Sequence, residues 1–207
     1  GSGYPKILQL AQLIIIQDSL KLTVEELASV VYQLPQKPLI DNGKSFAGRI
    51  FNLEKISDAS IPDKTPFLLA GLGITEAELL ILLDLLSIDL AQPITIDVLS
   101  RFYRHARVAR ALKMNIEDFD NALLLVFNGQ PLNKLEDIEK LIEFSYWLKK
   151  SPLKISELVF ILRGLETTSH KYKIDLRTIS EKVLEIQKQE SIENEIIEVR
   201  RISKKEN

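Results

Sequence analysis

The chain of 207 residues has no cysteine, only 8 glycines and 8 prolines, and few aromatic residues, 7% of the total. Without thiols there is neither a disulfide framework nor a thiolate metal site. So little glycine and proline leaves too few turn residues for a β-sandwich of this length. Neither sign of charge is in excess. The 27 Lys and Arg are interspersed with 29 Asp and Glu, for a net charge of −2, and the basic face that a nucleic-acid binder needs is missing. There is no long hydrophobic run either. The longest, Leu79 to Leu86, is broken by Asp84 and is far short of the roughly 18 to 20 residues of a membrane span. Gly1-Ser2-Gly3 reads as a cloning scar and is set aside.

What the chain does have is leucine and isoleucine within a hydrophobic content of 45%, a balance that favours helix. It also has a recurrent helix-start signal. Four strings read as a short amphipathic helix opening after a tight connection: Leu22-Thr23-Val24-Glu25-Glu26-Leu27, Ile74-Thr75-Glu76-Ala77-Glu78-Leu79, Met114-Asn115-Ile116-Glu117-Asp118-Phe119 and Leu153-Lys154-Ile155-Ser156-Glu157-Leu158. In the first two, Thr followed three residues later by Glu is a capping box: the hydroxyl accepts from an orphan N–H and the carboxylate reaches back to the cap's own N–H. Asn115 and Asp118 play the same parts less well. Lys154 breaks the rule, because an ammonium accepts nothing. An apolar residue precedes each cap, as a hydrophobic staple requires.

The cap positions 23, 75, 115 and 154 are about 40 residues apart after a longer first interval, the period of a helical-hairpin repeat. Each unit pairs a longer helix with a short capped one. Apolar residues recur at i, i+3, i+4 and i+7 in Val24, Leu27, Ala28 and Val31, and again in Ile155, Leu158, Val159 and Leu162. Leu99, Phe102, Tyr103, Ala106 and Ala109 form one stripe after Pro93. Leu135, Ile138, Leu141, Ile142, Ser145 and Leu148 form another, with one of Tyr146 and Trp147 expected to face the core. The segment Leu79 to Leu83 is apolar all round, which points to a central helix. The expected fold is therefore all-α, with helical-hairpin repeats stacked as an irregular α-solenoid or bundle. It forms a single domain over 4–190 with a loop insertion at about 34–66, followed by a charged tail over 191–207 that is helical or frayed.

Motifs that could carry chemistry are weak. Pro38-Leu39-Ile40-Asp41-Asn42-Gly43-Lys44-Ser45 nearly matches a P-loop, but Pro38 replaces the first glycine and removes a backbone donor, so it reads as a surface loop. Gly71-Leu72-Gly73 starts a dinucleotide fingerprint, but Glu76 stands where the third glycine belongs, so a helix stop is expected at Gly71 or Gly73. Arg101, Arg104, Arg107 and Arg110 recur every third residue. At about 100° per residue they wind around the helix instead of forming one basic face, and acidic partners are expected for each. His105 and His170 lack a second ligand at i+3 or i+4, there is no G-x-S-x-G elbow, and the carboxylates fall mostly at helix starts or between cations. No catalytic, cofactor-binding or metal-binding residue is assigned, and no enzyme is expected.

Four strings, in order, resemble the A component of bacterial insecticidal toxin complexes (Tc toxins). They are Ser45-Phe46-Ala47-Gly48-Arg49-Ile50-Phe51-Asn52; Gly73-Ile74-Thr75-Glu76-Ala77-Glu78-Leu79-Leu80; Leu99-Ser100-Arg101-Phe102-Tyr103-Arg104-His105-Ala106 with Ala109-Arg110-Ala111-Leu112; and Phe144-Ser145-Tyr146-Trp147-Leu148-Lys149-Lys150-Ser151 with Ser156-Glu157-Leu158. Together they cover about residues 5 to 190. The resemblance implies a very long secreted virulence subunit that assembles as a pentamer, binds host cells and injects a channel through the membrane. This stretch would belong to the α-helical outer shell and carry no catalytic residue. Its partners would be other parts of the same subunit and neighbouring subunits, with no nucleic acid and no membrane insertion of its own. The alternative is a free-standing helical-repeat module that binds a partner protein.

Overall fold

The computed structural model describes residues 4–35, 45–51, 59–164 and 175–203, with side chains described over 7–35, 45–51, 59–164 and 175–192. The described residues form α1 (Tyr4–Leu20), α2 (Val24–Val31), α3 (Phe46–Phe51), α4 (Ile61–Leu72), α5 (Glu76–Leu85), α6 (Ile96–Leu112), α7 (Ile116–Phe127), α8 (Leu135–Lys150), α9 (Ile155–Arg163) and α10 (Leu176–Ser203). The fold is all-α. Among the described residues the one trace of β-structure is an isolated antiparallel bridge between Ser60 and Pro93, where the Ile94 N–H donates to Ala59 O at 2.9 Å. No single described helix is long and apolar enough to cross a membrane. Residues 36–44, most of the P-loop-like string, lie outside the description, as do Asn52 and His170. So do the side chains of Ile196, Val199 and Ile202. α3 and α4 occupy part of the stretch read as a loop insertion, and α10 extends through much of the charged tail.

The helix starts follow local chemistry. Thr23 and Thr75 each form a complete capping box, accepting from the N–H groups of Glu26 and Glu78 and receiving those carboxylates on their own N–H groups. Asn115 accepts from the Asp118 N–H at 2.7 Å. At Lys154 only the return half survives: its N–H donates to Glu157 Oε2 at 2.7 Å. A further cap, Thr95, accepts from the Val98 N–H and opens α6. Each such cap contributes about 1 kcal/mol.

The chain divides into two compact units, Gly1–Trp147 and Leu148–Asn207. In the first, long and short helices alternate as expected, but the pairs are corners more than flat hairpins. The chain turns through 115° from α1 to α2 and 100° from α4 to α5. At these two corners the helices touch over a short length, and the main packing is α2 on α6, α5 on α7 and α3 on α4. α6 also meets α1, α4 and α7, so the unit gathers as a bundle around it.

That makes α6 the central helix, not α5. Leu79, Leu82 and Leu83 of α5 are buried, but Leu80 is 56% exposed. α6, much less hydrophobic overall, buries Val98, Leu99, Phe102, Tyr103, Val108 and four further side chains besides His105. Three other expectations also fail. α2 turns Ser29 and Val30 inward and leaves Val24 70% exposed, while Leu162 of α9 is 66% exposed. Neither Tyr146 nor Trp147 faces the core. Both are about half exposed, Trp147 stacks on Phe144 at 5.9 Å between ring centroids, and the inward residue of that turn is Ser145. In the second unit, α9 buries Ile155, Ser156, Leu158 and Val159, and α10 contributes Ile179.

The two candidate glycine stops have different roles. Gly73 is the helix stop, with φ 64° and ψ 44° at the end of α4, a conformation that strains any other residue. Gly71 lies inside α4 where α3 crosses it, and a Cβ there would stand 2.7 Å from Phe51 Cδ1 and 2.8 Å from Ile50 O. Gly71→Ala is therefore expected to lower the unfolding free energy by about 1–3 kcal/mol through overpacking, measured by urea denaturation. A change below about 0.5 kcal/mol, the range of an inert substitution, would show that α3 moves aside freely.

Candidate functional site

The densest polar constellation among the described residues lies on α6. Its four arginines point in successive directions about 60° apart, because three residues advance the helix by about 300°. Each reaches a different neighbour. Arg101 Nη2 donates to Leu86 O at 2.6 Å, at the end of α5. Arg104 Nη2 donates to Tyr32 O at 2.7 Å, at the end of α2, while its Nη1 reaches Leu132 O at 3.5 Å. Arg107 Nε pairs with Glu26 Oε1 at 2.7 Å, at the start of α2. Arg110 donates to Leu72 O and Gly73 O at the end of α4. The expectation of an acidic partner for each is corrected here. One arginine has a carboxylate and three have helix-end carbonyls instead. Those carbonyls have no intrahelical partner and sit at the negative pole of a helix dipole, so a guanidinium there meets a partial charge and a hydrogen-bond acceptor together. The spacing of the arginines is legible in the sequence, but their carbonyl partners lie 15 to 72 residues away and leave no local signal.

The capping-box glutamates also carry a second contact. Glu26 Oε2 accepts the Thr23 N–H at 2.8 Å while Oε1 holds Arg107. Burial alone would raise the Glu26 pKa, but the bonds from Arg107 and Thr23 outweigh it and keep the carboxyl below its ordinary range. Glu78 Oε2 accepts the Thr75 N–H at 2.9 Å while Oε1 accepts the Ile116 N–H at 3.2 Å, at the start of α7. Burial is again outweighed, here by these N–H donors and the Arg110 charge. In the second unit Glu157 caps α9 and accepts two bonds from Lys182 Nζ of α10, at 2.7 and 2.8 Å. In each case one carboxylate fixes a helix start and ties it to another element.

His105 is held at both ring nitrogens. Nδ1 is 2.8 Å from Arg101 O, and Nε2 is 3.0 Å from the Leu132 backbone nitrogen. A carbonyl can only accept and an N–H can only donate, so the ring is neutral, with its proton on Nδ1. With Arg104 on its carbonyl, Leu132 is fastened to α6 from both sides, and its side chain is buried. The ring meets Phe119 edge-on at 6.2 Å. Burial, the nearness of Arg104 and the nearness of Arg101 push the His105 pKa down to about 4, against a smaller raising effect from Arg101 O. Tyr103 is pushed up to about 12, first by burial and then by the Glu26 charge. Its ring meets Phe46 and Phe51 edge-on, which seats α3. Ser100 Oγ donates to Ile96 O and accepts the Leu34 N–H at 3.0 Å, a second hold on the chain leaving α2.

A cleft of about 240 Å³ opens beside this array, lined by Tyr32, Asp97, Arg101, Arg104 and Asn133 among others. Among the described residues no three His, Cys, Asp or Glu side chains gather as ligands of one metal ion. The arrangement is built to fasten helix ends together.

No protein-family model and no curated protein matches the sequence. Among solved structures, the cryo-EM structure of TcdA4 from Morganella morganii, a Tc toxin A subunit, superimposes with a TM-score of 0.62 at 14% identity. The chain's fold is similar to part of that subunit. The match covers 74% of this chain and 8% of the TcdA4 chain. At this identity the likeness is one of fold alone.

Two outcomes test the array. Arg104→Ala should cost about 1 kcal/mol by removing its bonds to the carbonyls of Tyr32 and Leu132. Arg104→Lys should recover less than half of that, because one ammonium cannot span both acceptors. Equal stability of the lysine variant and the parent in urea would refute the bridging role. For His105, a folded pKa of about 4 against an ordinary value of 6.5 means the unfolded chain binds more protons between those values. Stability should then be complete above the ordinary value and fall by about 3 kcal/mol as pH drops through that window. Unfolding curves of His105→Gln, weaker at neutral pH, should lack this component, so parent and variant should converge towards the acid end.

Proposed function

We propose that this chain is a structural segment of the α-helical shell of a large, secreted, pore-forming translocation toxin subunit of the Tc A type, with no catalysis of its own. The observation that carries the reading is the fold likeness to part of TcdA4, and the collinear order of the four sequence strings between residues 45 and 158 supports it. The role is mechanical. Helix ends bound by arginine and glutamate, with apolar ridges between them, make a stiff wall segment that keeps its shape while surfaces around it rearrange. By the resemblance, its partners are other parts of the same subunit and neighbouring subunits of a pentamer.

The natural reading frame and the particle it encodes test this. A reading frame of about 2,000 residues or more, roughly twelve times the matched stretch as the 8% coverage implies, is expected. Negative-stain images of the purified product should show a five-fold particle with a central channel. A frame that ends near Asn207, giving a monodisperse monomer, would instead support the free-standing interaction module and overturn the toxin reading.

A further inference from the structure

The first helix is apolar on two opposite sides. Ile16 and Leu20 are buried in the bundle, whereas Ile7, Leu8, Leu10, Ile14 and Ile15 are between 51% and 65% exposed. At 100° per residue those five sweep an arc of about 160°, and no charged residue lies between Ile7 and Gln17. A contiguous apolar area of this extent marks a contact surface.

We propose that this face seats a neighbouring helix pair of the same toxin subunit, packed on α1 through uncharged apolar ridges. The inference rests on the functional reading above and names the partner of this segment. The area selects the occupant. Five half-exposed aliphatic side chains offer roughly 500 Å², short of the ~800 Å² per partner in a standard stable complex, so a free second copy gains too little from it. A tethered segment of the same polypeptide loses far less freedom on docking and is held by the same area. An arc of about 160° is wider than the a/d seam that a single partner helix covers and suits two helices side by side. Residues 7–20 contain no Lys or Arg, which removes the attraction that an anionic membrane or a nucleic acid would need. In helical-repeat arrays the outermost faces are polar and the inner faces apolar, and this face is of the inner kind.

These 207 residues contain no cysteine, so Ile14→Cys is a single reporter in this chain, and in the full-length subunit its labelling is read on the peptide that carries position 14. In the 207-residue chain alone, the introduced thiol should react with a maleimide at the rate of a free thiol. In the full-length subunit assembled as a particle, the rate should fall by about 100-fold or more, the protection of a buried site. A particle that forms but leaves the introduced thiol reactive overturns the docking proposal and leaves the shell assignment standing. A natural reading frame that ends near Asn207 defeats both. Protection in the isolated chain also overturns the proposal: with doubled mass the occupant is a second copy, and with single mass the chain covers the face itself. Protection by phosphatidylcholine–phosphatidylglycerol vesicles would make the occupant a membrane and overturn it equally.

Discussion

Enclosing α6 on several sides is the condition on which the first unit depends. A helix surrounded by α1, α2, α4 and α7 must bury most of its surface, yet this one carries four arginines. Stranding guanidinium groups in an apolar interior is costly. The conflict resolves because a buried helix is surrounded by the ends of others, and those ends expose unpaired carbonyls. Each arginine delivers its head to an end of another helix. For three of the four, cation and orphan acceptor are satisfied by the same contact, so the helix with this cluster of cations can occupy the middle.

The glutamates extend this pattern to the helix starts. Glu26, Glu78 and Glu157 each accept a bond from a cap N–H and hold a second group on another element. α1 and α2 meet at a corner of 115°, and α4 and α5 at one of 100°, so contact along the chain is limited at those two places. Specificity is placed at the ends, where geometry is fixed by charged hydrogen bonds, while the apolar ridges supply the bulk of the burial. Directional ties of this kind resist shear, which apolar contact alone does not.

Much of this is legible in the sequence because it is local. Thr23–Glu26, Thr75–Glu78 and Asn115–Asp118 act within one helical turn, and their spacing is their signal. The stripe through Leu99, Phe102, Tyr103, Ala106 and Ala109 follows from helical periodicity and is buried in full. The departures share a cause. Leu79 to Leu83 reads as central only while hydrophobicity is weighed without the elements that surround it. α2 turns Ser29 and Val30 inward, and its Glu26 meets Arg107 across 81 residues of chain. Size favours Trp147 as the inward residue of its turn, whereas Ser145 is the one that is buried.

The sequence by itself determined that the chain is helical, that helices begin at residues 23, 75, 115 and 154, and that one stops at Gly71 or Gly73, since these depend on hydrogen bonds and backbone strain within a few residues. Only the tertiary structure decided which helix sits at the centre, which acceptor each arginine of α6 reaches, and why His105 is neutral. Those outcomes depend on groups brought together across as many as 81 residues of chain. In water, isolated groups of this kind are satisfied by solvent and have no preference for one another. Burial removes the water and leaves each with the partner that the fold supplies.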